Sequence, residues 1–163
     1  MQFFRTFQWS FAVSLLGLGF AFAGHFSPDA PERAMRLYRE RFQPGPLDKP
    51  HAILALSVFC ADSEDAAQRM ASSLLLSFAQ LRAGQPGRMP SPEQALAHAY
   101  TPEEQATVAQ FRRLQILGTP DRVRAAIERA VESTGADEVM LATHAYDSAA
   151  RVRSYELVAA AFA

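Results

Sequence analysis

The run His51–Cys60, HAILALSVFC, is the feature that most narrows the choice of fold. It lies between a proline turn and Ala61-Asp62-Ser63, and it has no polar face to show to water. So short a run, rich in aliphatic and aromatic residues, reads as a strand. A strand without a polar face must be covered on both sides, which is the condition of a parallel sheet flanked by helices.

The rest of the chain repeats this plan. Leu16 to Phe26 reads as a buried strand with its approach. After Ser27-Pro28-Asp29 a helix is expected, with Asp29 as cap, Glu32 as its reciprocal partner and Pro31 in the first turn. Ala34, Met35, Tyr38, Arg41 and Phe42 recur at helical spacing before Gln43-Pro44-Gly45-Pro46 ends the element. Ser63 to Arg82 is a long helix whose Ala67, Met70, Leu74, Phe78 and Leu81 share a face, with Gly84 as its stop. Ser91-Pro92 with Gln94 and Thr101-Pro102 with Glu104 each place a hydroxyl cap, a first-turn proline and a capping-box partner. Thr119-Pro120-Asp121 opens a further helix carrying the stripe Val123, Ala126, Ile127, Ala130 and Val131, closed by Gly135. Glu138 to Thr143 reads as a short buried strand, and Asp147 caps a final helix from Ser148 to Phe162.

The order is strand, helix, strand, helix, a helical excursion, helix, strand, helix, which implies parallel β/α units. Only three strands are visible in the sequence. A sheet that small, with helices mainly on one side, leaves apolar strand faces uncovered unless something else packs there.

Composition serves to exclude. Lys and Arg total 16 against 17 Asp and Glu, so there is no basic footprint for nucleic acid. The single cysteine, Cys60, supports neither an internal disulfide nor a cysteine-rich zinc site. At 163 residues the chain is too short for a whole (β/α)8 barrel, which needs roughly 250. The N-terminus admits export and membrane anchoring as well as the strand. Arg5, an apolar run and Ala21-Phe22-Ala23 match a signal peptide over residues 1–23, which would make this a small exported α/β binding protein. The uncharged stretch Thr6–Gly24 also stands at the lower edge of a membrane span. The β/α pattern that follows favours the strand.

Of the residues that carry chemistry, His25, His51, His98 and His144 match no zinc spacing, so no metal site is expected. Cys60 ends an apolar strand and packs as a small hydrophobe. Arg151, Arg153 and Glu156 read as a solvated helix face with an Arg153–Glu156 pair. Arg112 and Arg113 are too few for a phosphate patch, and the Gly-x-Gly at 17–19 lacks the rest of a dinucleotide fingerprint.

FAFAGHFSP at 20–28, LYRERFQP at 37–44, LSVFCADSEDAA at 56–67, LGTPDRVRAAI at 117–127 and GADEVMLATHAYDSAARVRSYELVA at 135–159 stand in a collinear order that resembles the bacterial luciferase-like, flavin-dependent monooxygenase family. The last segment is the most specific. The resemblance runs over residues 16–163 and only the C-terminal half of the family pattern, leaving 1–15 as an unmatched N-terminal segment. It implies an α/β fold that is a partial (β/α)8 TIM barrel: the last three β/α units, with a helical insertion over about 84–116 before the final strand. FAFAGHF, HAILALSVFC and EVMLAT would be the sixth, seventh and eighth barrel strands.

The same resemblance implies chemistry with reduced FMN and molecular oxygen on an organic substrate, the flavin coming from a partner flavin reductase in the cytoplasm. A WILGSS-type fifth strand that cradles the FMN phosphate belongs just before the sixth, and MQFFRTFQWSFAV does not match it. The isolated chain is therefore expected to be inactive, and to pair as a homodimer or with a missing N-terminal half. Barrel active sites are built at strand C-terminal ends. On that basis Gly24, His25 and Phe26 are expected to face flavin or substrate, and His144, with Tyr146, holds the equivalent place after the last strand. No residue receives a catalytic role.

Overall fold

The computed structural model describes residues 13–26 and 31–163. Among the described residues, four strands form one sheet in the order β1-β2-β3, with β4 against β2. The elements are β1 (Phe20–Ala23), α1 (Pro31–Arg41), β2 (Ala52–Cys60), α2 (Glu64–Arg82), α3 (Pro92–Ala97), α4 (Pro102–Arg112), β3 (Gln115–Gly118), α5 (Pro120–Thr134), β4 (Glu138–Ala142) and α6 (Ser148–Phe162). The described residues cluster into two compact units, those up to Leu56 with Ile127–Leu141, and Ser57–Ala126 with Ala142–Ala163.

In the first unit β1 runs parallel to the start of β2, in register from Phe20↔Ala52 to Ala23↔Ala55. β1 alternates buried and exposed residues, with Phe20 and Phe22 buried. A signal-peptide cut after Ala23 would remove this strand, so the strand reading of that segment accords with the fold. α1 buries Ala34, Met35 and Tyr38. The Tyr38 hydroxyl donates to the Leu18 carbonyl at 2.9 Å and accepts the His51 N–H at 2.9 Å. A fully buried tyrosine is tolerated because its one polar atom is satisfied. The expected cap Asp29 lies outside the described residues, as do residues 1–12 of the unmatched segment.

In the second unit the end of β2 runs parallel to β3, from Ser57↔Gln115 to Cys60↔Gly118. β3 corrects the expectation of three strands: the helical excursion does not continue into the next helix but ends in a strand. Its burial is the reverse of its hydropathy. Gln115 and Gly118 are buried while Ile116 and Leu117 are half-buried. A four-residue strand entered by a polar residue carries too little periodicity to be recognised without its partner.

α2 begins at Ser63, whose side chain accepts the Ala66 N–H, and ends at Gly84 with paired bonds from Gly84 N–H to Leu81 and from Gln85 N–H to Gln80. Its buried face is Ala67, Ala71, Leu75, Leu76 and Ala79 with Ser72 and Ser73. The expected face is therefore rotated, and Leu81 is exposed. α2 packs against α3, α4 and β3 at once, and the short side chains of Ala67, Ala71, Ser72, Ser73 and Ala79 permit close approach around Leu75 and Leu76. Phe78 stacks on Phe111 of α4 with ring centroids 3.7 Å apart. Both expected capping boxes, Ser91 with Gln94 and Thr101 with Glu104, are formed, and Asp147 accepts the Ala150 N–H at 2.7 Å. No helix among the described residues is long and apolar enough to cross a membrane.

Candidate functional site

The C-terminal end of β2 opens onto a cavity of about 490 Å³ that lies wholly in the second unit. β2 contributes Cys60 and leads into Ala61 and Asp62; the first turns of α2 contribute Ala66, Arg69 and Met70. Pro92 and Glu93 close another side from α3, and Tyr146, Asp147, Ala150 and Arg153 come from the segment after β4 and from α6.

Two hydrogen bonds hold the segment after β4 and α6 to β2. The Thr143 hydroxyl donates to the Val58 carbonyl at 2.7 Å. The Cys60 N–H donates to the hydroxyl of fully buried Ser154 at 2.9 Å. The first fixes the chain as it leaves β4, and the second fixes α6, so the cavity wall is set by bonds to the β2 backbone rather than by loop packing alone.

The rim is ionic. Arg153 donates to Asp62 at 3.0 Å and stands 3.8 Å from Glu156. The expected helical pair is present, but Arg153 is turned to the strand end as well, which its place on a helix face did not reveal. Arg69 pairs with Glu93 across α2 and α3. The hydrogen bond to Asp62, and then its charge, raise the Arg153 pKa. A hydrogen bond from Ser91, joined by the charge of Arg69, lowers that of Glu93. Burial pushes the Cys60 thiol up, Asp62 adds to this and Arg153 works against it. A buried thiol beside a carboxylate is a poor nucleophile, in keeping with Cys60 as a packing residue.

Of the residues expected at the site, Tyr146 lines the cavity, while His144, exposed two residues earlier, is not part of its lining. Gly24, His25 and Phe26 belong to the first unit, immediately after β1. Phe26 is 63% exposed, and the His25 ring lies against it at 4.1 Å. Gly24 has a structural reason to be glycine: a Cβ there would sit 2.9 Å from the Ala55 carbonyl oxygen of the paired strand. Asp62, Arg69, Glu93 and Arg153 were not singled out for the site. The available signal was position, since Asp62 follows a buried strand at its C-terminal end, where β/α folds place their chemistry.

The profile of the luciferase-like monooxygenase family matches residues 15–160. The chain is 37% identical over 143 residues to the luciferase-like monooxygenase of Escherichia coli (strain K12), covering 87% of this chain and 43% of that protein. It is likewise 37% identical over 145 residues to YvbT of Bacillus subtilis (strain 168), covering 88% and 43%. The chain thus spans less than half the length of these relatives. The crystal structure of apo-MsnO8 superposes with a TM-score of 0.84 at 30% identity, over 94% of this chain and 47% of that one. The Pseudomonas putida type II Baeyer–Villiger monooxygenase, the oxygenating constituent of 3,6-diketocamphane monooxygenase in complex with FMN, shares the fold at 18% identity and a TM-score of 0.51, over 87% and 40%. With a parallel α/β sheet, a cavity at the end of its central strand and a family match over nearly its whole length, the chain belongs to the luciferase-like monooxygenase family.

Proposed function

We propose that this chain is the C-terminal portion of an FMN-dependent monooxygenase, the last part of a (β/α)8 barrel, and that it does not turn over substrate alone. The cavity at the C-terminal end of β2 carries this reading, since barrel enzymes bind their ligands at that end of their strands. On this reading residues 16–163 form one barrel portion, with β1, β2 and β4 as its final strands and residues 84–116 as an insertion before the last of them.

FMN would supply oxygen activation, and the protein's part would be to bind, orient and exclude water. The cavity does not fit the whole cofactor. Its lining carries three carboxylates, Asp62, Glu93 and Asp147, against two guanidinium groups. Both guanidiniums are paired with carboxylates. No cation is left for a flavin phosphate, and the negative balance opposes a dianion. The apolar floor of Cys60, Ala61, Ala66, Met70 and Ala150 suits instead the body of an organic substrate. Gly24, His25, Phe26 and, secondarily, His144 are assigned to the flavin or substrate face of a completed barrel. Catalysis would then require the remaining barrel strands, from a separate N-terminal half or a second copy, and a flavin reductase in the same compartment, the cytoplasm.

Titration with oxidised and reduced FMN tests this. The expected result is no stoichiometric tight binding and no aldehyde oxidation by the 163-residue chain. Tight one-to-one binding with turnover would overturn the claim of inactivity.

A further inference from the structure

A second cavity, of about 520 Å³, lies where the end of α2 meets the loop before α3, and Tyr146 belongs to both linings. Its chemistry is the opposite of the first. Arg88, His98, Gln80 and Gln94 line it, and no acidic residue does. Arg88 makes no ion pair or hydrogen bond with any described residue, whereas both arginines of the first cavity are neutralised.

Two of the lining side chains, Gln94 and His98, are held in place by bonds made elsewhere. Gln94 Oε1 accepts the Ser91 N–H at 2.8 Å within the capping box, which leaves its Nε2 to donate. His98 Nε2 lies 3.1 Å from Glu104, a carboxylate outside the lining that also accepts the Thr101 N–H at 2.9 Å. The Tyr100 ring stands edge-on to the imidazole at 4.7 Å. Arg88 is exposed, but it is followed by half-buried Met89 and buried Pro90, which anchor the loop that carries it. The Tyr146 hydroxyl has no protein partner among the described residues.

We propose that this second cavity binds a small oxyanion, a carboxylate or phosphate group, gripped by Arg88 with the Gln80 and Gln94 amides and the Tyr146 hydroxyl as further donors. A planar guanidinium with its N–H groups uncommitted matches two oxygens of such a group at once. Its charge favours an anion over a neutral ligand, and a cation would be repelled. The proposal concerns binding alone and does not depend on monooxygenase chemistry.

The test is a low-salt NMR titration of the full chain with inorganic phosphate, hexanoate and FMN, reading the Gln80 and Gln94 side-chain amide signals. Saturable shifts are expected with at least one ligand. Arg88→Gln should weaken that binding roughly tenfold or more, as removal of a charged hydrogen-bond partner does. Arg88→Lys should recover less for hexanoate, which needs the planar fork, than for phosphate. Arg153→Gln, in the first cavity, should leave affinity unchanged. If only FMN responds, the oxyanion is the cofactor's phosphate; if phosphate or hexanoate responds, it is a free acid. No saturable shift with any ligand, equal affinity in Arg88→Gln, or loss in Arg153→Gln instead overturns the proposal. Arg88 is exposed, so the variant tests binding rather than folding.

Discussion

Asp137 and Ala52 bond to each other in both directions: Asp137 Oδ2 accepts the Ala52 N–H at 2.7 Å, and the Asp137 N–H donates to the Ala52 carbonyl at 2.9 Å. The same carboxylate oxygen takes Arg39 at 2.7 Å, and Arg39 also donates to the Gly135 carbonyl. One side chain thereby ties the entry of β4 to the entry of β2 and to α1, all within the first unit.

Acid should release this tie. Burial works to raise the Asp137 pKa, but the Ala52 N–H, Arg39 and the more distant His51 outweigh it, and the net shift is downward. A carboxylate held below its unfolded pKa stabilises the fold above that value, about 3.9, and the stability is lost as pH falls further, through the folded pKa. Urea denaturation between pH 3 and 7 should show the loss below about pH 4. Asp137→Asn should flatten that profile and cost about 1 kcal/mol at pH 7, a charged-bond value discounted because the side chain is 38% exposed. An unchanged acid limb in the variant would refute this assignment.

Ser154→Ala should cost about 1–3 kcal/mol. It leaves the Cys60 N–H buried without its 2.9 Å acceptor. A denaturation midpoint unmoved from the parent would show that the buried amide finds another partner.

Gly24→Ala should destabilise by about 1–3 kcal/mol, because the new methyl meets a backbone oxygen that cannot rotate away. The contact would be 2.9 Å from the Ala55 carbonyl, with Leu54 Cδ1 a further 3.3 Å neighbour. Thermal denaturation checks the prediction. A neutral result would free Gly24 from its structural explanation and leave ligand contact as the reason for glycine.

Cys60 should react slowly with a thiol reagent at pH 8 in the folded chain and at the ordinary rate in urea. Burial is the larger cause of its raised pKa and Asp62 the smaller. Asp62→Asn should therefore speed labelling only slightly. Equal rates folded and unfolded would contradict the burial of this thiol.

Much of the fold was legible because its signals are local. Ser91 with Gln94 and Thr101 with Glu104 close their capping boxes within one turn of helix, and β2 announces a doubly covered strand through composition alone. Where the determinant is a distant partner, the reading slips. α2 turns Ala71, Leu75 and Ala79 inward rather than Met70, Leu74 and Leu81, because three elements crowd its face. The site was legible only at its position after the strands, through Tyr146; Arg69 and Glu93 meet although 24 residues apart.

The amino-acid sequence by itself determined the β/α order, the helix boundaries and the family, since caps, periodicity and collinear motifs all act over short stretches of chain. The tertiary structure alone decided that Gln115–Gly118 is a strand, that Arg153 turns to Asp62, and that both arginines of one cavity are paired with carboxylates while Arg88 of its neighbour has no partner among the described residues. The physical reason is the same in each case. Pairing, burial and charge compensation depend on which residues meet in space, and a side chain's neighbours along the chain do not fix them.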